Sequence, residues 1–105
     1  MVNKILTAAG VPYREGRFTA KKPATYAVYF DDIATDGPDG IPSILQHAVM
    51  VELYEDRPDS EVETAIEAAI TAAGLQWTKQ ARNWLQSEQQ YLVVYEFEYF
   101  EKRRA

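Results

Sequence analysis

The stretch Ser60-Glu61-Val62-Glu63-Thr64-Ala65-Ile66-Glu67-Ala68-Ala69-Ile70-Thr71-Ala72-Ala73-Gly74 decides the reading of this chain. Val62, Ala65, Ile66, Ala69, Ile70 and Ala73 recur at the spacing of a single helical face. Ser60-Glu61-Val62-Glu63 reads as a capping box, in which the Ser60 hydroxyl takes an orphan amide and Glu63 reaches back. Gly74 is placed to end the helix in a left-handed conformation. The small residues on the apolar stripe let such a helix lie close against a sheet.

Alternating runs flank this helix on both sides. Upstream, residues 44–54 set His47, Val49, Val51 and Leu53 against Ala48, Met50, Glu52 and Tyr54. A run starting at Ala24 or Thr25 sets Tyr26, Val28 and Phe30 against Ala27, Tyr29 and Asp31. Residues 32–43 between them read as a loop, because Asp36-Gly37-Pro38-Asp39-Gly40 and Pro42 are turn formers. Asp36, Gly37, Asp39 and Gly40 are its candidate flexible contact residues, expected to order only against a partner. Downstream, residues 75–80 begin a third strand carrying Trp77, and residues 80–90 show no clear period. The last strand, 89–101, places Tyr91, Val93, Tyr95, Phe97 and Tyr99 on one face and Leu92, Val94, Glu96, Glu98 and Phe100 on the other. Near the N-terminus, residues 2–9 form a short helix ended by Gly10 and Pro12, and 13–23 read as irregular, basic and exposed.

The expected architecture is α+β in the order α-β-β-α-β-β: an antiparallel four-stranded sheet with two helices packed on one face. Length and composition are those of a single α+β domain, 1–105. Two short helices cover one sheet face only, while the other still offers Tyr29, Met50, Tyr54, Leu92, Val94 and Phe100. Either loops or a partner cover that face, and the simplest partner is another copy.

Charge narrows the partners. The net charge is −5 and the isoelectric point about 4.8, the wrong sign for a protein that holds nucleic acid by its phosphates. From Asp31 to Glu63 the only Lys or Arg is Arg57, and bases gather instead at 4–22 and 102–104. This asymmetry is either a solvated surface or a charged contact between subunits. In the second case Lys102, Arg103 and Arg104 of one copy face Glu52, Glu55 and Asp56 of the next. No apolar run approaches the ~20 residues of a membrane span, and nothing in residues 1–6 suggests export, so a cytoplasmic, membrane-free protein is expected.

An enzyme finds little support in the sequence. With no cysteine and a single histidine, neither a cysteine nucleophile nor a zinc site can be assembled. His47 lies mid-strand among apolar residues, where a structural histidine is commoner than a catalytic one. Asp31, Asp32, Asp36 and Asp39 lack the spacing and distal glutamate of a calcium loop. Phosphate-binding and dinucleotide glycine motifs are missing too. No catalytic, cofactor-binding or metal-binding residue is assigned.

The succession Tyr26-Ala27-Val28-Tyr29, an aspartate- and glycine-rich loop, Val51-Glu52-Leu53-Tyr54, an acidic helix closed by Gly74, Trp77-Thr78-Lys79 and Tyr95-Glu96-Phe97-Glu98-Tyr99 resembles the small tail terminator (tail completion) proteins of long-tailed bacteriophages and prophages. The resemblance covers residues 26–102 and rests on short compositional motifs. It implies a hexameric ring that caps the tail tube, stops its growth, and offers a surface to the head-side connector. It also implies that DNA passes through the lumen without specific binding, and it brings no catalytic residues. It further implies assembly in the host cytoplasm and residence in the virion tail. A head–tail joining protein or a small α+β binding module are the alternatives.

Overall fold

Alternating β-branched and aromatic residues make the long strands, and the small-residue stripe makes the main helix. The computed structural model describes residues 1–18, 22–36 and 44–102. Its elements are α1 (Val2–Ala9), β1 (Tyr13–Glu15), β2 (Thr25–Asp36), β3 (Ile44–Glu55), α2 (Ser60–Ala72), β4 (Trp77–Lys79), β5 (Asn83–Leu85) and β6 (Gln90–Lys102). They form one six-stranded mixed sheet in the order β1-β2-β3-β6-β4, with β5 also paired to β6.

The expected four-stranded antiparallel sheet in the order α-β-β-α-β-β is therefore corrected to α-β-β-β-α-β-β-β. Two features account for the difference. Tyr13–Glu15, expected to be irregular, pairs in parallel with 27–29 of β2, and the Gly16 amide donates to the Tyr29 carbonyl just beyond it. Asn83–Leu85 returns along β6 through the four-residue turn 86–89, where Gln89 takes a positive φ of 53°. Three residues cannot display a period of two convincingly, so tertiary pairing decides both.

β3 is central. It pairs with β2 from Thr25↔Glu55 to Asp36↔Ile44, and with β6 from Ile44↔Lys102 to Glu55↔Tyr91. Asp32, expected to open a loop, thus belongs to β2, as do all residues through Asp36. Gly37, Asp39 and Gly40 of that expected contact loop lie outside the described residues.

Odd-numbered residues of the long strands face the helices. Ala27, Tyr29, Val49, Val51, Leu53, Val93, Tyr95 and Phe97 join Val2, Ile5 and Leu6 of α1, Val11, and Ile66 and Ile70 of α2 in one core. Tyr29 was expected on the open face. It belongs to this core instead, and its hydroxyl donates to Asn3 Oδ1 of α1 at 2.8 Å.

The cap of α2 also differs from expectation. Asp59, rather than Ser60, is the N-cap, with Oδ1 accepting from the Val62 amide at 3.2 Å. The chain offers two good capping residues in tandem, and the preceding Glu55 selects between them by accepting the Asp59 amide at 2.9 Å. That leaves Glu63 free to turn into the protein. At the other end Gly74 takes φ 80°, the left-handed closure expected of it.

Helix and strand lengths do not match. α2 and β6 each have 13 residues, which is ~20 Å of helix against ~43 Å of strand. The far ends of β2, β3 and β6 consequently reach beyond the helices as a three-stranded arm.

Candidate functional site

The even-numbered residues of the long strands form a face on which, among the described residues, no helix lies. The register sets them in rows across β2, β3 and β6: Tyr26–Tyr54–Leu92, Val28–Glu52–Val94, Phe30–Met50–Glu96, Asp32–Ala48–Glu98 and Ala34–Gln46–Phe100. The first row is the best covered. Tyr26 stacks on Tyr54 at 5.0 Å and meets Phe18 edge-on at 4.9 Å. The Tyr54 hydroxyl donates to Glu52 Oε1 at 2.9 Å, and burial followed by this carboxylate holds the phenol well above its usual value.

Exposure grows toward the arm. Met50 is 36% exposed, Phe30 39% and Phe100 68%. An open depression of about 600 Å³ lies beside them, lined by Ala48, Leu75, Trp77, Phe100, Glu96 and Glu98. Its charged residues are all acidic. Glu96 and Glu98 accept from Gln80 (2.8 Å) and Gln46 (3.4 Å), and neither has a cationic partner among the described residues. Phe30 and Met50 adjoin across the register and Phe100 stands two rows farther along, which suits an interaction face.

The proposed charged contact is rearranged by the structure. Glu52 and Glu55 point to opposite faces of β3. Glu52 belongs to the open face, whereas Glu55 is fully buried on the helix side and is withdrawn from any surface contact. Asp56 is exposed at the strand end and accepts from Gln90 Nε2 at 3.2 Å. Lys102 sits at the other end of the sheet, in register with Ile44. The eight residues separating Ile44 from Glu52 along β3 amount to ~26 Å, so Lys102 cannot meet the acids within one chain. Arg103 and Arg104 lie outside the described residues.

Two polar clusters occupy the helix side, and neither is legible without the register. The first surrounds Glu55. Its Oε2 accepts the Asp59 amide, while Oε1 is buried without a hydrogen-bond partner, 3.7 Å from Arg82 Nε. Glu63 lies alongside and takes Lys79 Nζ at 2.8 Å and Arg82 Nη2 at 2.6 Å. Lys79 also reaches Glu67 at 2.8 Å, and the Tyr95 hydroxyl donates to that same carboxylate at 2.7 Å. Burial pushes Glu55 up to about 7, helped by neighbouring Glu63 and opposed by the Asp59 amide. Burial acts upward on Glu63 as well, but Lys79 and Arg82 outweigh it and hold Glu63 below the usual range.

The second cluster is at the root of the arm. His47 is buried on β3, stacked on Tyr99 of β6 at 4.2 Å. Its Nδ1 lies 2.9 Å from Asp31 Oδ2 of β2, and its Nε2 lies 2.9 Å from Glu101 Oε1 of β6. Burial disfavours the charged ring. Hydrogen bonds to Asp31 and then Glu101 reverse that, and the ring holds its second proton above the ordinary histidine value.

No family model matches the chain, and no curated protein matches it. Among solved structures, the chain is similar in fold to one described as "Virion of native gene transfer agent (GTA) particle", with a TM-score of 0.58 and 13% identity over 90% of this chain and 81% of the other. At that identity it is a likeness of fold.

Proposed function

We propose that this chain is a structural component of a phage-like virion, and specifically a tail terminator that assembles as a ring, caps the tail tube and presents a surface to the head-side connector. The observation that carries the reading is the uncovered sheet face, where Phe30, Met50 and Phe100 stand in water beside an acidic depression. The fold likeness to a chain of a gene transfer agent virion supports the class of particle.

The placement of charge suits a head-to-tail contact. Asp56 and the open-face Glu52 lie at one end of the sheet and Lys102 at the other, so Lys102 of one copy can reach Glu52 and Asp56 of a neighbour. Contacts joining two different patches close into rings when the rotation permits. The net charge of −5 suits a lumen through which DNA passes unheld, because like charge repels phosphate. The role is structural and calls for no catalysis or cofactor, with assembly in the host cytoplasm.

Reconstitution with cognate tail tubes tests this. Electron microscopy is expected to show density capping one tube end, and tubes are expected to stop elongating when the protein is added. Tubes growing to unregulated lengths with bare ends would refute the terminator role. Binding to the head-side connector alone would instead identify a head–tail joining protein.

A further inference from the structure

We propose that His47 is a proton-dependent clasp that ties the outer ends of β2 and β6 to β3. The inference concerns this chain alone and does not depend on the assembly reading. An imidazolium has two N–H donors and a neutral imidazole has one. Here both ring nitrogens face carboxylate oxygens at hydrogen-bond distance, Asp31 at Nδ1 and Glu101 at Nε2. Both contacts are attractive only when the ring carries both protons. Loss of one proton to solvent turns one contact into a lone pair facing a carboxylate.

The two carboxylates are not equivalent. Asp31 offers both oxygens to Nδ1, at 2.9 and 3.0 Å, and its side chain is 16% exposed. Glu101 makes a single contact, and its side chain is 58% exposed. Water can therefore solvate a released Glu101 far better than a released Asp31. The neutral ring keeps its proton on Nδ1 for Asp31, and Glu101 swings out.

The surroundings add no competing charge among the described residues. From β2 the neighbours are Asp31 and, directly across, Ile33. From β6 they are Glu101 and Tyr99, whose ring lies parallel to the imidazole at an interplanar angle of 9°. The phenols of Tyr99 and of nearby Tyr29 are both raised, chiefly by burial, and stay neutral through the histidine range. Beyond Phe97 no other strand pairs with the outer edge of β6 among the described residues. The link from Glu101 to His47 thus tethers that strand end, which leads into Lys102, more closely than the 3.4 Å contact of Gln46 with Glu98 on the open face.

Nitrogen NMR of the ring reads the clasp directly, since His47 is the only histidine. Below the midpoint both nitrogens are expected to be protonated, and above it only Nδ1. Glu101→Gln is expected to lower the midpoint by about one pH unit, and Asp31→Asn by more. Amide exchange at residues 98–102, corrected for intrinsic pH dependence, is expected to rise at least ~10-fold above the midpoint. In Glu101→Ala, which leaves Nε2–H without its acceptor, that rise is expected to be lost, because exchange is already fast at low pH. A ring that stays neutral from pH 5 upward would overturn the proposal. So would an unchanged midpoint in folded Glu101→Gln, or exchange at 98–102 indifferent to the ring's charge.

Discussion

Glu55 lies against Glu63 beneath the first turn of α2, yet both cations of the cluster sit closer to Glu63 than to Glu55. Two carboxylates in one buried site cannot both ionise cheaply. Glu55 therefore keeps its proton to about 7, while Glu63 is held ionised.

This division has a pH consequence of definite sign. A carboxyl raised from 4.5 to about 7 in the folded state contributes stability that is complete below 4.5 and lost as pH rises through 7. Glu63, shifted downward, contributes above its unfolded value and loses that only in acid. His47, shifted upward, has the same sign as Glu55. Stability is thus expected to fall between pH 5 and 8. Glu55→Gln copies the protonated carboxyl and is expected to flatten that fall without abolishing it. Urea midpoints across this range check the slope, and an equal slope in variant and parent would contradict the assignment of the proton to Glu55.

The two isoleucines of α2 are the helix's anchors. Ile66 and Ile70 are fully buried against the sheet, and truncation of either to alanine is expected to cost about 2–5 kcal/mol. Chemical denaturation of the single variants is the measurement.

Capping separates two neighbours. Asp59→Ala is expected to cost about 1 kcal/mol, because the Val62 amide loses its acceptor. Ser60→Ala, one residue inside the helix and exposed, is expected to change stability by less than about 0.5 kcal/mol. The reverse ranking would return the cap to Ser60.

The open face is expected to matter for assembly and not for folding. Phe100→Ser removes a side chain that is 68% exposed, so stability is expected to stay within about 0.5 kcal/mol. Capping of tail tubes is expected to fail. A folded Phe100→Ser that caps tubes normally would remove this face from the contact.

Much of the fold was legible because burial imposes a period. The stripe on α2 and the alternation in β3 and β6 each report one buried face, and their bounds match to within a residue or two. The edges were not legible. Tyr13–Glu15 is too short to show alternation, and Asp31, Asp32 and Asp36 look like turn residues until pairing with β3 carries the strand through them. That Glu55 cannot join a charged contact was hidden for a related reason. Glu52 and Glu55 are three apart, which in a strand means opposite faces, so one is exposed to the partner side and the other is interior. Neither polar cluster could be read at all, because Asp31, His47 and Glu101 meet only once two strand registers are known.

The three-stranded arm brings a solubility hazard. Among the described residues, β1 stops pairing at Tyr29 and β4 at Phe97, so β2 and β6 each continue with a bare backbone edge. Such edges template sheet growth between chains. Asp32 on one margin and Glu98 on the other, both exposed, act as gatekeepers whose mutual repulsion keeps loose subunits from stacking. That protection is electrostatic and is weakest where the net charge vanishes or salt screens it. Near the isoelectric point of about 4.8 the free protein is expected to grow fibrous or amorphous aggregates through these margins, whereas a copy with its edges occupied would be spared.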